Sequence, residues 1–120
     1  MPDTKSYLLA QSFIGKKVTV IIDRPIGYVH PDYGYTYQVN YGYVPDTKAP
    51  DGEELDAYYL GIDRPLTGKV TGICLGVIHR YNDDDDKLVV APEGVVFTDQ
   101  EIIQAVWFQE KSFQSEVLRH

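Results

Sequence analysis

Apolar residues recur at every second position in several short stretches of the chain, which is the spacing of β-strands. The pattern is clear around Val18, Val20 and Ile22, where the β-branched side chains favour a strand. Further strands are predicted over residues 35–43, 57–62, 69–80 and 88–91. The longest contains Gly72 and Gly76. Glycines inside an apolar strand permit the bulges and close backbone approach that small closed barrels require.

Two segments have helical spacing instead. Residues 4–14 place apolar side chains four apart, which predicts a short N-terminal helix. Thr98 and Glu101 form a capping box that starts a second helix near residue 99. Its apolar stripe consists of Ile102, Val106, Phe113 and Val117, widened by Ile103 and Trp107, so the helix is predicted to continue beyond Phe113. The elements together predict a single mainly β, barrel-like domain spanning residues 1–120, with the C-terminal helix packed on the sheet.

The composition is that of an ordinary globular protein. Of the 120 residues, 43% are hydrophobic and 24% are charged, so one folded domain with one core is expected. No apolar run approaches the roughly 20 residues of a membrane span, and the N-terminus lacks the pattern of a secretion signal. We therefore expect a soluble, cytoplasmic protein with no membrane contact. The single cysteine, Cys74, lies in an apolar strand and is expected to be a buried structural thiol.

The formal net charge of -7 argues against nucleic-acid binding, because such binding draws most of its affinity from lysine and arginine. The same charge would repel a small phosphate compound. Divalent cations bound to the acidic side chains would reverse the local sign of the field. An acidic protein that handles phosphates is therefore expected to depend on metal ions.

Three carboxylates, Asp51, Glu53 and Asp56, follow a turn after a tyrosine-rich segment. If the backbone is extended at residues 51–53, side chains two apart leave on the same face, and a bend would bring Asp56 back toward them. Convergent carboxylate oxygens suit a hard cation such as Mg²⁺. The alternative is a solvated surface turn, for which Pro, Asp and Gly are the usual residues.

A second acidic cluster, four aspartates at residues 83–86, directly precedes Lys87. Consecutive side chains point in different directions, so one or two of them would face a shared site. Lys87 is a candidate phosphate contact, and the alternative is a surface ion pair of little energetic value. Arg24 and Arg80 are the other cationic candidates. The tyrosines near the first cluster are either neutral hydrogen-bond donors to phosphate or half-buried strand residues.

Other catalytic patterns do not emerge from the sequence. His30 and His79 are unspecific, and neither a Cys/His zinc spacing nor a Ser/His/Asp constellation occurs. Glycine-rich phosphate loops are absent as well, and the EF-hand pattern fails for the acidic turn. Clustered carboxylates that bind metal ions are therefore the chemistry that the residues support.

Three ordered motifs resemble those of the soluble family I inorganic pyrophosphatases. They are Tyr37-x-Val39-Asn40-Tyr41-Gly42-Tyr43-Val44-Pro45, then Asp51-Gly52-Glu53-Glu54-Leu55-Asp56, then Asp85-Asp86-Lys87-Leu88-Val89-Val90-Ala91-Pro92. The family signature is an Asp-x-Asp-x-x-Asp triplet shortly after an Asn-Tyr-Gly-Tyr segment, with an Asp-rich loop before a Lys-Leu-Val-x-x-Pro strand. The resemblance covers about residues 18–92 and is weaker in the helix.

The resemblance implies an OB-like five-stranded barrel, with a C-terminal α-helix packed on it and a short N-terminal helix, that hydrolyses pyrophosphate with two or more Mg²⁺ ions. The metal ligands it implies are Asp51, Glu53, Asp56, Asp83 (or Asn82), Asp85 and Asp23. The catalytic residues are Glu53, near the water nucleophile, and Asp56, bridging two ions. The residues expected to bind substrate are Lys87, Tyr37, Tyr41 and the candidate cation Arg24. The family commonly forms dimers or hexamers, so a homo-oligomer is also implied.

Several positions depart from the family pattern. Glu53 stands where the family has aspartate, and the shortened hairpin before Tyr37 lacks a clear counterpart of the family's lysine and arginine. Near the C-terminus, Lys111 is a displaced substitute for the family's Tyr-Lys pair. Two alternatives therefore accompany the pyrophosphatase interpretation: a non-catalytic phosphate- or metal-binding module on the same fold, and a hydrolase of another phosphoanhydride.

Overall fold

The computed structural model describes residues 5–48, 52–81 and 85–119. Its elements, in chain order, are α1 (Lys5–Gln11), β1 (Lys17–Arg24), β2 (Asn40–Val44), β3 (Leu55–Tyr59), β4 (Gly68–Arg80), β5 (Lys87–Ala91), α2 (Asp99–Glu110) and β6 (Ser115–Leu118). None of the helices described is long and apolar enough to cross a membrane.

Five strands close on themselves into a barrel. Neighbouring strands follow the order β1-β2-β3-β5-β4, and β4 pairs again with β1. All of these pairings are antiparallel except that of β3 with β5. The predicted OB-like five-stranded barrel with two helices is therefore confirmed, and β6 adds a further strand along the C-terminal half of β4.

The length of β4 makes the closure feasible, because its first half pairs with β1 and its second half pairs with β5 and β6. Two glycines allow other backbones to approach it closely, as the sequence predicts. A Cβ atom at Gly72 would lie 2.4 Å from the carbonyl oxygen of Ala91, and one at Gly76 would lie 2.7 Å from that of Leu118. Real side chains cannot occupy such positions without displacing the neighbouring strand.

Apolar side chains form two clusters on opposite faces of the central strands. One contains the buried apolar residues of α1 together with Ala57 and Tyr59 of β3. The other contains Tyr58, from the opposite face of β3, and the buried apolar residues of α2. Because successive residues of a strand point to opposite faces, β3 and β5 are buried on both sides. Cys74 is buried, as predicted.

The C-terminal helix is shorter than predicted. The capping box of Thr98 and Glu101 is present, but α2 ends at Glu110 and the chain continues into β6. Phe113 and Val117 therefore do not extend the helical stripe, and Trp107 is 53% exposed. The physical reason is the edge of β4, whose residues 77–80 hydrogen-bond the backbone of β6. Pairing with an exposed strand edge outweighs the continuation of a helical pattern.

The predicted strand over residues 35–43 is also only partly correct. Regular pairing starts at Asn40 and continues to Val44, while the preceding segment has one isolated bridge between Val29 and Thr36. The tyrosines of this segment pack against one another and against α2, so ring contacts take the place of a strand ladder. The single-domain organisation over residues 1–120 stays a prediction.

Candidate active site

A cavity of about 590 Å³ opens where several strand ends meet the end of α2. Its wall combines carboxylates, cations and aromatic rings. It is lined by Arg24, His30, Tyr33, Tyr35, Tyr41, Asp56, Arg80, Asp85, Lys87, Gln109, Lys111, Ser112 and Phe113. The cavity therefore collects residues that are far apart in the sequence.

Lys87 lies between two of the predicted metal-binding carboxylates. Its Nζ atom is 3.1 Å from Oδ2 of Asp56 and 3.3 Å from Oδ2 of Asp85. The parallel pairing of Ala57 with Leu88 sets Asp56 beside Lys87 on neighbouring strands. The lysine side chain is only 3% exposed, so the interpretation as a solvated surface ion pair is wrong.

The electrostatic surroundings keep Lys87 charged. Burial by itself lowers the pKa of a lysine, but the nearby Tyr41 and Asp56 raise the pKa of Lys87 above its ordinary value. Tyr41 donates its hydroxyl hydrogen bond to Oδ2 of Asp56 at 2.9 Å. Burial raises the pKa of Tyr41, so this hydroxyl stays protonated at neutral pH. The site thus holds a positive charge and a neutral donor beside one carboxylate.

Arg24 lies in the cavity wall at the end of β1. Its Nη1 atom donates a hydrogen bond to the hydroxyl of Tyr37 at 2.7 Å, and its guanidinium lies near the rings of Tyr28, Tyr37 and Tyr41. Tyr37 itself is fully buried and is not part of the cavity wall. Of these residues, Arg24 and Tyr41 therefore face the cavity directly.

The other predicted ligands are placed differently. Asp23 and Glu53 are exposed, and neither lines the cavity. Burial raises the pKa of Asp23, and the charge of Asp56 adds to this effect, which Arg24 opposes. Asp51, Asp83 and the alternative Asn82 lie outside the described residues. Their roles stay predictions.

Asp56 and Asp85 have the chemistry that a hard divalent cation requires. Both carboxylates face one cavity, share one ammonium group and are about one-third exposed. Carboxylate oxygens with access to water are the ligands that Mg²⁺ prefers, so the donor chemistry fits. Within residues 5–48, 52–81 and 85–119, no group of three or more His, Cys, Asp or Glu side chains could hold a metal ion.

The sequence reasoning missed the two residues that end α2. Glu110 accepts hydrogen bonds from Nε and Nη2 of Arg80 at 3.1 and 2.8 Å, and Gln109 bonds three tyrosine hydroxyls. A signal was available, because Glu110 continues the four-residue spacing of Ile102 and Val106. A carboxylate on an apolar stripe requires a buried partner.

Lys111 lines the cavity as the sequence suggested for a displaced substitute. His79 does not reach it: this residue is 4% exposed, and its Nδ1 atom is 2.9 Å from Oδ2 of the buried Asp86. His79 is therefore a buried residue of β4 and not part of the candidate site.

Comparison with known proteins decides the family. The sequence model described as "Pyrophosphatase: Inorganic pyrophosphatase" matches residues 17–110, well over half of the chain. The chain belongs to the inorganic pyrophosphatase family. The predicted resemblance to these enzymes is thereby confirmed. No curated protein is a significant sequence match.

Solved pyrophosphatase structures share the fold at low sequence identity. The inorganic pyrophosphatase from Ehrlichia chaffeensis is 19% identical with a TM-score of 0.67, and the match covers 87% of this chain and 85% of that one. The enzyme from Coxiella burnetii is 21% identical with a TM-score of 0.59, and the match covers 87% of this chain and 86% of that one. The enzyme from Thermus thermophilus is 20% identical with a TM-score of 0.58, and the match covers 84% of this chain and 79% of that one. At these identities the likeness establishes the barrel alone.

Proposed function

We propose that the chain hydrolyses inorganic pyrophosphate to two phosphates, with two or more Mg²⁺ ions as cofactors. Family membership supports this function. The observation that carries it is the position of Lys87 between Asp56 and Asp85 in a cavity that also contains Arg24. A phosphate-binding cation and metal-binding carboxylates in one cavity are the groups that phosphoryl transfer to water needs.

The cationic side chains would bind the phosphate oxygens. Lys87 is charged, buried and held in place by two carboxylates, so it loses little conformational freedom on binding substrate. Arg24 would contact a second set of phosphate oxygens, with its orientation supported by Tyr37. The hydroxyl of Tyr41 is a neutral donor that orients the carboxylate of Asp56 through the hydrogen bond to its Oδ2 atom.

The proposed metal ligands are Asp56 and Asp85, joined by Asp51, Glu53, Asp83 and Asp23. Bound there, Mg²⁺ would lower the pKa of a bound water and neutralise the leaving phosphate. In hydrolysis, a water oxygen would bond to one phosphorus as the bridging P–O bond breaks, and the proton released from water would end on a phosphate. Asp56 and Glu53 are the carboxylates proposed to orient this water.

Phosphate release from pyrophosphate, measured with and without Mg²⁺, tests the proposal. Asp56→Asn should reduce the rate at least about 100-fold, because misplacing the attacking water by about 1 Å can cost that much. The exposed Asp63→Asn in the loop after β3 is the matched control and should keep native activity. If the native chain releases no phosphate at saturating Mg²⁺, the proposed enzymatic function is refuted. The alternative of a non-catalytic phosphate- or metal-binding module would then be favoured.

Nucleoside triphosphates assayed in parallel would identify a hydrolase of another phosphoanhydride. Equal rates for the native chain and Asp56→Asn would refute the proposed role of this carboxylate but not the proposed hydrolysis of pyrophosphate. The cytoplasmic location and the homo-oligomeric state stay predictions.

A further inference from the structure

Six residues of the cavity wall and of the core beneath it form one continuous chain of hydrogen bonds. Nη1 of Arg24 donates to the hydroxyl of Tyr37 at 2.7 Å, and that hydroxyl donates to Oε1 of Gln109 at 2.8 Å. Nε2 of Gln109 donates to the hydroxyl of Tyr58 at 2.7 Å, which donates to Oε2 of Glu110 at 2.5 Å. Glu110 also accepts two bonds from Arg80. The chain thus connects two guanidinium groups of the cavity wall.

The chemistry of the two ends gives every bond in this chain one direction. A guanidinium only donates and an ionised carboxylate only accepts, so each hydroxyl between Arg24 and Glu110 must accept from one side and donate to the other. The orientation of the Gln109 amide follows: its oxygen faces Tyr37 and its nitrogen faces Tyr58. Bonds aligned in one direction polarise and strengthen one another.

Burial makes the hydrogen-bond chain rigid. Tyr37 and Tyr58 are fully buried, while Gln109 and Glu110 are 5% and 1% exposed. Among the described residues, every buried side-chain nitrogen or oxygen has a hydrogen-bond partner. Burial alone would raise the pKa of Glu110, but the hydrogen bonds and charge of Arg80 lower it below its ordinary value. The carboxylate is therefore ionised at neutral pH.

Arg80 is the residue that this chain presents to the cavity. Its guanidinium stacks on the ring of Phe113 at 3.7 Å from the centroid, and its Nη1 atom is 3.4 Å from Oδ2 of Asp85. It lines the same cavity as Lys87 and Arg24. A planar guanidinium held by a carboxylate and a ring is already ordered for contact with a phosphate oxygen.

We propose that Arg80 binds the phosphate of the substrate directly, and that Gln109 and Tyr58 are positioning residues that hold Arg80 and Arg24 through the hydrogen-bond chain. Arg80 would thus supply a guanidinium contact to phosphate, which the shortened hairpin before Tyr37 lacks. This inference rests on the proposed pyrophosphatase function. It assigns to the end of α2 a role in substrate affinity.

The decisive measurement is calorimetric binding of methylenediphosphonate in the presence of Mg²⁺, because its P–C–P bridge cannot be hydrolysed. Arg80→Met should weaken binding at least about tenfold, since it removes charge-assisted hydrogen bonds. Arg80→Lys should recover part of the affinity, because it restores the charge without the planar fork.

Tyr58→Phe interrupts the chain between Gln109 and Glu110 without changing the shape of the ring. It should weaken analogue binding about threefold or more and raise KM for pyrophosphate more than it lowers kcat. Tyr59→Phe is the matched control on the other face of β3, because its hydroxyl bonds the backbone oxygen of Thr71 instead. That control should bind the analogue like the native chain.

Native affinity for the analogue in a folded Arg80→Met variant, or an Arg80→Lys variant that binds no better than Arg80→Met, would overturn the direct contact. Equal affinity of Tyr58→Phe and Tyr59→Phe would overturn the positioning role. Absence of pyrophosphate hydrolysis by the native chain would instead refute the proposed function, while the analogue measurements would still decide whether Arg80 binds phosphate. The two failures are therefore distinguishable.

Discussion

Removal of one partner from the buried pair of Arg80 and Glu110 should destabilise the fold strongly, and Glu110→Gln is the substitution that tests this. The carboxylate is 1% exposed and accepts two bonds from the guanidinium and one from Tyr58. Glutamine keeps the shape of the side chain but removes the negative charge. The guanidinium, itself 4% exposed, would then keep, among the described residues, only the longer ion pair with Asp85, at 3.4 Å.

Breaking a buried ion pair by removing one partner typically costs about 3–5 kcal/mol. Glutamine retains one acceptor oxygen, so we expect the lower value, about 3 kcal/mol. The unfolding entropy of a 120-residue chain is about 0.25 kcal/mol/K, at about 2.1 cal/mol/K for each residue. The expected decrease in Tm is therefore about 12 °C.

Thermal unfolding followed by circular dichroism at neutral pH measures this shift. Glu93→Gln, at an exposed position, should change the free energy of unfolding by less than about 0.5 kcal/mol. The double variant with Arg80→Met and Glu110→Leu should be more stable than Glu110→Leu alone, because it leaves no uncompensated charge in the interior. A Tm for Glu110→Gln within about 2 °C of native would refute the reasoning.

Three further predictions follow from the same geometry. The pKa of Glu110 is lowered in the folded chain from its ordinary value of 4.5, so its stabilisation is fully present above that pH and is lost as the pH falls through the lowered pKa. The free energies of unfolding of the native chain and of Glu110→Gln, measured with urea from pH 7 to pH 3, should therefore converge. A constant difference between them would contradict this. Gly72→Ala should destabilise by about 1–3 kcal/mol, because the new Cβ would lie 2.4 Å from the carbonyl oxygen of Ala91; urea unfolding measures the loss, and native stability would refute the close approach. Burial raises the pKa of Cys74 to about 11, so a thiol reagent at pH 8 should modify the unfolded chain but not the folded one; rapid modification of the folded chain would show that the thiol is accessible.

Much of the barrel was predictable because strand spacing is a local property. Alternation around Val20 and the glycines of β4 predicted the strands and their close approach, and the capping box predicted the start of α2. The end of α2 was not predictable in this way. The partner that draws residues 115–118 into a strand is the edge of β4, which is distant in the sequence.

Part of the candidate site was likewise predictable from the sequence, and part was not. Each acidic motif is a short continuous segment of the sequence, and Lys87 directly follows the second, so residue types and spacing by themselves indicated metal ions and phosphate. Only the tertiary structure decided which of these side chains meet: the parallel pairing of β3 with β5 sets Asp56 beside Lys87. It also buried Glu110 against Arg80, thirty positions away. A burial environment depends on neighbours from other strands and helices, and local spacing carries no information about them.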